Sequence, residues 1–161
     1  MSEDEEQKLA IEYFQQAYSL QMKGELDEAA ELYQKSIEVM PTAEAHTFLG
    51  WTYSLMERLE EAIEECHKAI DIDPEYGNPY NDIGAYLIEQ GSFDDAIPWL
   101  EKAIHAPRYD NYCFPHYNLG RIYERKRQWA EALDCYKASL EQNPQYPLAY
   151  CAMRRLQARW N

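Results

Sequence analysis

A pattern that returns four times constrains this chain more than any other feature. Its clearest copy is the 34-residue stretch Ala43–Tyr76, AEAHTFLGWTYSLMERLEEAIEECHKAIDIDPEY. Within it, Leu49, Gly50, Tyr53 and Met56, then Ala62, Ile63, Cys66, Ala69 and Ile70, fall at helical spacing. Each block is one amphipathic helix, and so short a connection makes the two antiparallel. Gly50 and Ala62 carry too little side chain to hold the helices apart, and Pro74 stops the second helix because it has no N–H to donate. One such hairpin cannot bury its apolar face alone, but a stack can.

The other copies keep the register. Small residues stand at Ala17, Gly50, Gly84 and Gly120, spaced by 33, 34 and 36 residues, and bulky ones at Leu20, Tyr53, Leu87 and Tyr123. Alanines recur at Ala29, Ala62, Ala96 and Ala132, large side chains at Tyr33, Cys66, Leu100 and Tyr136, and small ones at Ser36, Ala69, Ala103 and Ser139. Prolines close the copies at Pro41, Pro74, Pro107 and Pro144. On these residues the chain resembles the tetratricopeptide repeat family from about Ala10 onward. The family's tryptophan position carries Tyr13, His46, Tyr80 and His116, and the first copy has Ala17 in place of glycine. The resemblance implies an all-α fold: a right-handed α-solenoid of four helical hairpins, near residues 10–42, 43–76, 77–112 and 113–146, plus a C-terminal capping helix over 147–160. Residues 1–161 then form one unit.

Local signals refine the boundaries. Ser2 and Glu5 match a capping box, so the first helix starts there and runs to about Lys23; Gly24 ends it, and Asp27 is placed to cap the second. Thr42 caps the next hairpin, while Glu57 and Lys126 take the turn positions that Gly24 and Gly91 hold elsewhere. Pro79 and Pro115 sit in first turns, and Pro98 is expected to kink its helix slightly. The longer connection 106–112, with Arg108, Tyr109 and Tyr112, is either a partner contact or a spacer. Tyr150, Met153, Leu156 and Trp160 form the apolar stripe of the cap.

Charge is uneven: residues 1–107 hold 24 Asp and Glu against 6 Lys and Arg, and residues 108–161 hold 5 against 9. Such polarity can orient a charged partner or guide chains head to tail. No run is apolar enough to span a membrane, and MSEDEEQK is acidic where a secretory leader is basic then apolar, which points to the cytoplasm. Cys66, Cys113, Cys135 and Cys151 are far apart, with no C-x-x-C pair, as expected in a reduced compartment; Cys66 occupies a packing position. His46 and His116 also fall at packing positions, and His67 and His105 stand alone on helical surfaces. With no phosphate-cradling glycine loop either, neither enzyme activity nor a cofactor or metal is expected.

In the family the first helix of each hairpin lines a concave face. That implies a groove lined by Phe14, Tyr18 and Met22; by Thr47, Phe48, Trp51 and Leu55; by Asn78, Asn81, Asp82 and Ala85; and by Phe114, Tyr117, Asn118, Arg121 and Arg125, with Arg155 and Arg159 from the cap. An extended peptide suits such a lining. Aromatics bury its apolar side chains, Asn81 and Asn118 pair with its backbone, and arginines fork onto carboxylates. The expected function is a protein-interaction scaffold for a segment that is apolar and then acidic. The family's clamp for chaperone tails needs lysine and asparagine where this chain has Phe14, Tyr18 and Phe48, so that partner is not expected. Two alternatives remain. One is self-assembly into a homo-oligomer. The other is phosphate or nucleic-acid binding through Arg121, Arg125, Lys126, Arg127, Arg154, Arg155 and Arg159 beside Tyr117 or Trp160, against which the acidic majority works.

Overall fold

The computed structural model describes residues 1–159, so Trp160 of the expected apolar stripe and stacking surface lies outside the described residues. The chain runs α1 (Glu3–Met22), α2 (Leu26–Val39), α3 (Ala43–Leu55), α4 (Leu59–Ile72), α5 (Asn78–Glu89), α6 (Phe93–His105), α7 (Cys113–Arg125), α8 (Trp129–Gln142) and α9 (Pro147–Ala158). Four hairpins, α1/α2 to α7/α8, stack in order, and α9 covers the last. The architecture is an all-α solenoid.

The packing unit is a knob set opposite a small residue sixteen positions earlier in the chain. A Cβ at Gly84 would stand 2.4 Å from Leu100 Cδ2, and one at Gly120 would stand 2.5 Å from the Tyr136 ring. At Gly50 the obstacle is backbone, with the Ala62 carbonyl oxygen 2.9 Å away and Cys66 Sγ at 3.5 Å. Ala17 and Tyr33 occupy the matching places in the first hairpin, both fully buried. Two copies add a clasp. Ser36 Oγ donates to the Ala10 carbonyl at 2.8 Å, and Ser139 Oγ to the Cys113 carbonyl at 2.7 Å, so the last turns of the second helix are tied to the interior of α1 in one copy and to the first residue of α7 in the other. In the second hairpin, His46 Nδ1 lies 2.6 Å from Glu65 Oε2 in the interior. Burial alone would raise the Glu65 pKa, but hydrogen bonds from His46 and Lys68 hold it below the usual carboxylate range.

Every hairpin turn closes with the same pair of backbone bonds, for example Glu57 N–H to Ser54 and Arg58 N–H to Tyr53, which places one residue in the left-handed region. Gly24 and Gly91 take it without penalty at φ 81° and 80°, whereas Glu57 and Arg127 take it at 62° and 60°. A side chain there costs about 1–2 kcal/mol. The strained residue of the fourth hairpin is therefore Arg127, and Lys126, at φ −81° and ψ 0°, stays at negative φ. Asp27 is likewise displaced from its expected role. α2 begins at Leu26, so Asp27 sits in the first turn, where its charge favours the helix dipole without a capping hydrogen bond. Ser2 and Thr42 do cap: Ser2 Oγ accepts from Glu5 N–H at 3.3 Å and Thr42 Oγ1 from Ala45 N–H at 3.1 Å. His67 is not alone, since its ring meets Trp99 edge-on at 5.3 Å.

The longer connection before α7 folds back as a strut. Arg108 exchanges backbone hydrogen bonds with Glu75 and Gly77, lies 4.2 Å over the Tyr76 ring, and reaches Glu44 at 2.8 Å and Asp73 at 2.7 Å. Tyr109 is buried against Gly77, where a Cβ would stand 2.2 Å from its ring. The two additional residues thus let this segment brace the second hairpin against the third.

Candidate functional site

The leading helices α1, α3, α5 and α7 touch one another in sequence, α1 to α3, α3 to α5 and α5 to α7, and so form one continuous face. Its first zone is apolar. Phe14 and Phe48 meet edge-on at 5.1 Å, Tyr18 and Phe48 at 6.0 Å, and Phe48 and Trp51 at 5.8 Å, which links α1 to α3 through rings. Tyr18, Met22 and Leu55 are 43%, 51% and 48% exposed, a large apolar area left in water. Ile11, 47% exposed, belongs to the same strip beside a cavity of about 360 Å³ that Phe14, Gln15, Met40 and Glu44 also line. Sequence reasoning left Ile11 out, although it lies one helical turn before Phe14 and Gln15.

The second zone is a smaller cavity of about 220 Å³ between α3 and α5. Thr47, Phe48 and Trp51 line it from α3, Asn78, Asn81 and Asp82 from α5, and Phe114 from the start of α7. Tyr109 enters from the strut, a residue that no helical periodicity could place here. Asn81 and Asn118 do not both offer free amides to a peptide. Asn118 Nδ2 donates to Asn81 Oδ1 at 3.0 Å, Arg121 donates to Asn118 Oδ1 at 3.1 Å, and both amides are buried. The relay is internal glue across α5 and α7. Asp82, half-buried at the cavity wall, has no ion-pair partner among the described residues, and burial pushes its carboxyl up to about 7 against the opposing pull of an Asn81 hydrogen bond.

The third zone is mixed. A cavity of about 420 Å³ is lined by Phe93, Tyr117, Arg121, Glu124, Arg125 and Arg155, among others. Arg155 is not a free cation, because both Glu124 oxygens hold it, at 2.6 and 2.8 Å. Arg159 lies 4.3 Å over the Trp129 ring, and Lys126 pairs with Asp94. Arg125 is exposed and stands 5.2 Å over the Phe93 ring, and Arg121 faces Tyr117 at 5.9 Å. Neither forms an ion pair among the described residues. Of the residues expected to share one face, the apolar set from Phe14 to Trp51, the set Asn78, Asn81 and Phe114, and the set Tyr117, Arg121, Arg125 and Arg155 each gather at one of these three places.

Among the described residues, no group of three His, Cys, Asp or Glu side chains is placed to hold a metal ion, and no helix is long and apolar enough to cross a membrane. Cys66 and Cys113 are buried and all four cysteines are free thiols.

Family models described as tetratricopeptide repeat match residues 13–42, 43–76, 80–106 and 113–146. The type IV pilus assembly protein PilF of Pseudomonas aeruginosa is 26% identical over 136 residues, which are 84% of this chain and 54% of that protein. The probable UDP-N-acetylglucosamine–peptide N-acetylglucosaminyltransferase SPINDLY of Hordeum vulgare is 33% identical over 124 residues, 71% of this chain but 13% of that protein. This chain thus spans about half of the first relative and a small part of the second. A solved structure of Pseudomonas aeruginosa pilF superimposes with a TM-score of 0.88 at 24% identity, covering 96% of this chain and 70% of the other. YrrB, described as a TPR protein with an unusual peptide-binding site, gives a TM-score of 0.67 at 26% identity over 93% of this chain and 77% of its own.

Proposed function

This chain belongs to the tetratricopeptide repeat family, and from that premise we propose that it is an interaction scaffold holding an extended segment of a partner protein along the face shared by α1, α3, α5 and α7. The observation that carries the reading is the exposed strip Ile11, Tyr18, Met22 and Leu55, continuous through the edge-packed rings with Trp51. A contiguous strip of exposed apolar side chains is costly in water, and the cost is relieved when a partner covers it. The peptide-binding site described for YrrB, a protein of the same fold, supports the same reading. Arg121 and Arg125 at the far end suit a carboxylate of the segment. The scaffold has no chemistry of its own, and a partner is recruited by shape and charge.

Selection of a random displayed peptide library on the folded protein tests this. Selected peptides are expected to lose affinity about 30-fold or more on Trp51→Ala, the loss typical of a central tryptophan. They should be retained fully by Glu64→Ala, which changes an exposed side chain on α4. Peptides that bind both variants equally would place the binding surface elsewhere.

A further inference from the structure

We propose that the cavity between α3 and α5 receives one positively charged side chain of the bound segment, a lysine or arginine, seated on the Asp82 carboxylate and walled by Phe48, Trp51, Tyr109 and Phe114. This rests on the groove reading above and alters its chemistry. The segment is apolar over α1 and α3, basic at the cavity, and acidic near Arg121 and Arg125.

Three features converge on a cation. The first is the want of an internal partner: Asp82 faces the cavity and forms no ion pair among the described residues. The basic groups in its neighbourhood are engaged elsewhere, Arg108 with Glu44 and Asp73, and Arg121 with Asn118. A carboxylate held half out of water without a counter-charge is a standing cost to the free protein, and an incoming cation removes it. The second is the wall. Four aromatic side chains line the cavity together with the Asp82 carboxylate, a setting in which an ammonium or guanidinium gains from both charge and rings. The third is the field. Residues 1–107, which contribute most of the lining, carry 24 acidic against 6 basic side chains and attract a cationic segment over distance. One carboxylate without a second acidic or histidine ligand nearby does not make a metal site.

The site is also pH-sensitive. The titratable groups around Asp82 are Cys66 from α4, Tyr76 from the α4–α5 connection, Tyr86 from α5 itself and Tyr109 from the strut, each pushed up by burial and so neutral. From α3 the lining is Thr47, Phe48 and Trp51, none titratable, and Arg121 of α7 donates to Asn118, which in turn donates to Asn81, without pairing with Asp82. Nothing cationic competes. With its carboxyl pushed up to about 7, Asp82 binds a cation best above that pH and progressively worse below it. The folded-state value lies above the ordinary 3.8, so the free protein loses stability as pH rises from about 4 to about 7.

The test uses the peptides selected at about pH 8 on the wild-type chain. A lysine or arginine is expected at one fixed position, and its replacement by norleucine should weaken binding about tenfold on wild type but less than about twofold on Asp82→Asn. On wild type the preference should disappear by about pH 5. As a second readout, Asp82→Asn should melt at least about 2 °C above wild type at pH 8, because the uncompensated charge is gone. Trp51-dependent peptides lacking a cation, a cation preference unchanged in Asp82→Asn, or a lower melting point for that variant would each overturn the pocket while leaving the groove intact. Peptides indifferent to Trp51→Ala would overturn the groove and the pocket with it.

Discussion

Replacing Tyr136 by alanine is expected to lower the unfolding free energy by about 3–5 kcal/mol, the range for deleting a fully buried aromatic side chain. Tyr136 is 1% exposed, its ring fills the space that Gly120 leaves open, and its hydroxyl donates to Glu124 at 3.0 Å. Most of the loss belongs to the ring. Tyr136→Phe removes only the hydrogen bond and should cost about 0.5–1.5 kcal/mol. Because each hairpin of a solenoid touches only its neighbours, the damage should stay local, with α7, α8 and α9 fraying before α1–α4. Urea unfolding followed by circular dichroism gives the magnitude, and amide hydrogen exchange gives the location. A loss under about 1 kcal/mol for the alanine variant would mean that the ring is not the knob on which this hairpin closes.

The second large effect is at Gly50, where the sign itself is informative. A helix-interior glycine replaced by alanine ordinarily gains about 1 kcal/mol from backbone entropy. Here a Cβ would stand 2.9 Å from the Ala62 carbonyl oxygen, and a backbone carbonyl in the first turn of α4 cannot rotate away as a side chain would. Gly50→Val is therefore expected to destabilise by about 1–3 kcal/mol despite its gain in helix propensity, since α3 and α4 must move apart. Glu65 and Cys66, each 3.5 Å from the new Cβ, are only in ordinary van der Waals contact with it, so the clash is with the backbone. Thermal unfolding of Gly50→Ala and Gly50→Val against wild type measures it. A rise in melting temperature for valine would mean that α3 and α4 leave room for a branched side chain at this position.

The fold was legible because its determinant is local. A small residue and its knob lie sixteen positions apart on one hairpin, so Ala17 with Tyr33 or Gly120 with Tyr136 can be paired by counting. The same counting from Gly24 through Glu57 and Gly91, carried across the lengthened connection, leads to Arg127 and not Lys126. The candidate face was legible only as far as helical periodicity reaches. Asn81 and Asn118 were placed on it, but their mutual hydrogen bond joins residues 37 positions apart and depends on how two hairpins dock. Tyr109 enters the cavity because the strut folds back over Gly77, and Arg155 is captured by Glu124 across α7 and α9. Asp82 could be read as groove-facing, yet its lack of a counter-charge is a property of everything around it.

The most direct measurement uses tryptophans already in the chain. Trp51 stands on the proposed binding face, whereas Trp99 and Trp129 belong to the second helices α6 and α8. Their indole N–H resonances, assigned through single Trp→Phe variants, can be followed as a selected peptide is titrated in. The groove account predicts that the Trp51 signal moves with the binding isotherm while those of Trp99 and Trp129 stay in place. Movement of Trp99 or Trp129 with Trp51 unchanged would put the partner on the outer helices and contradict it.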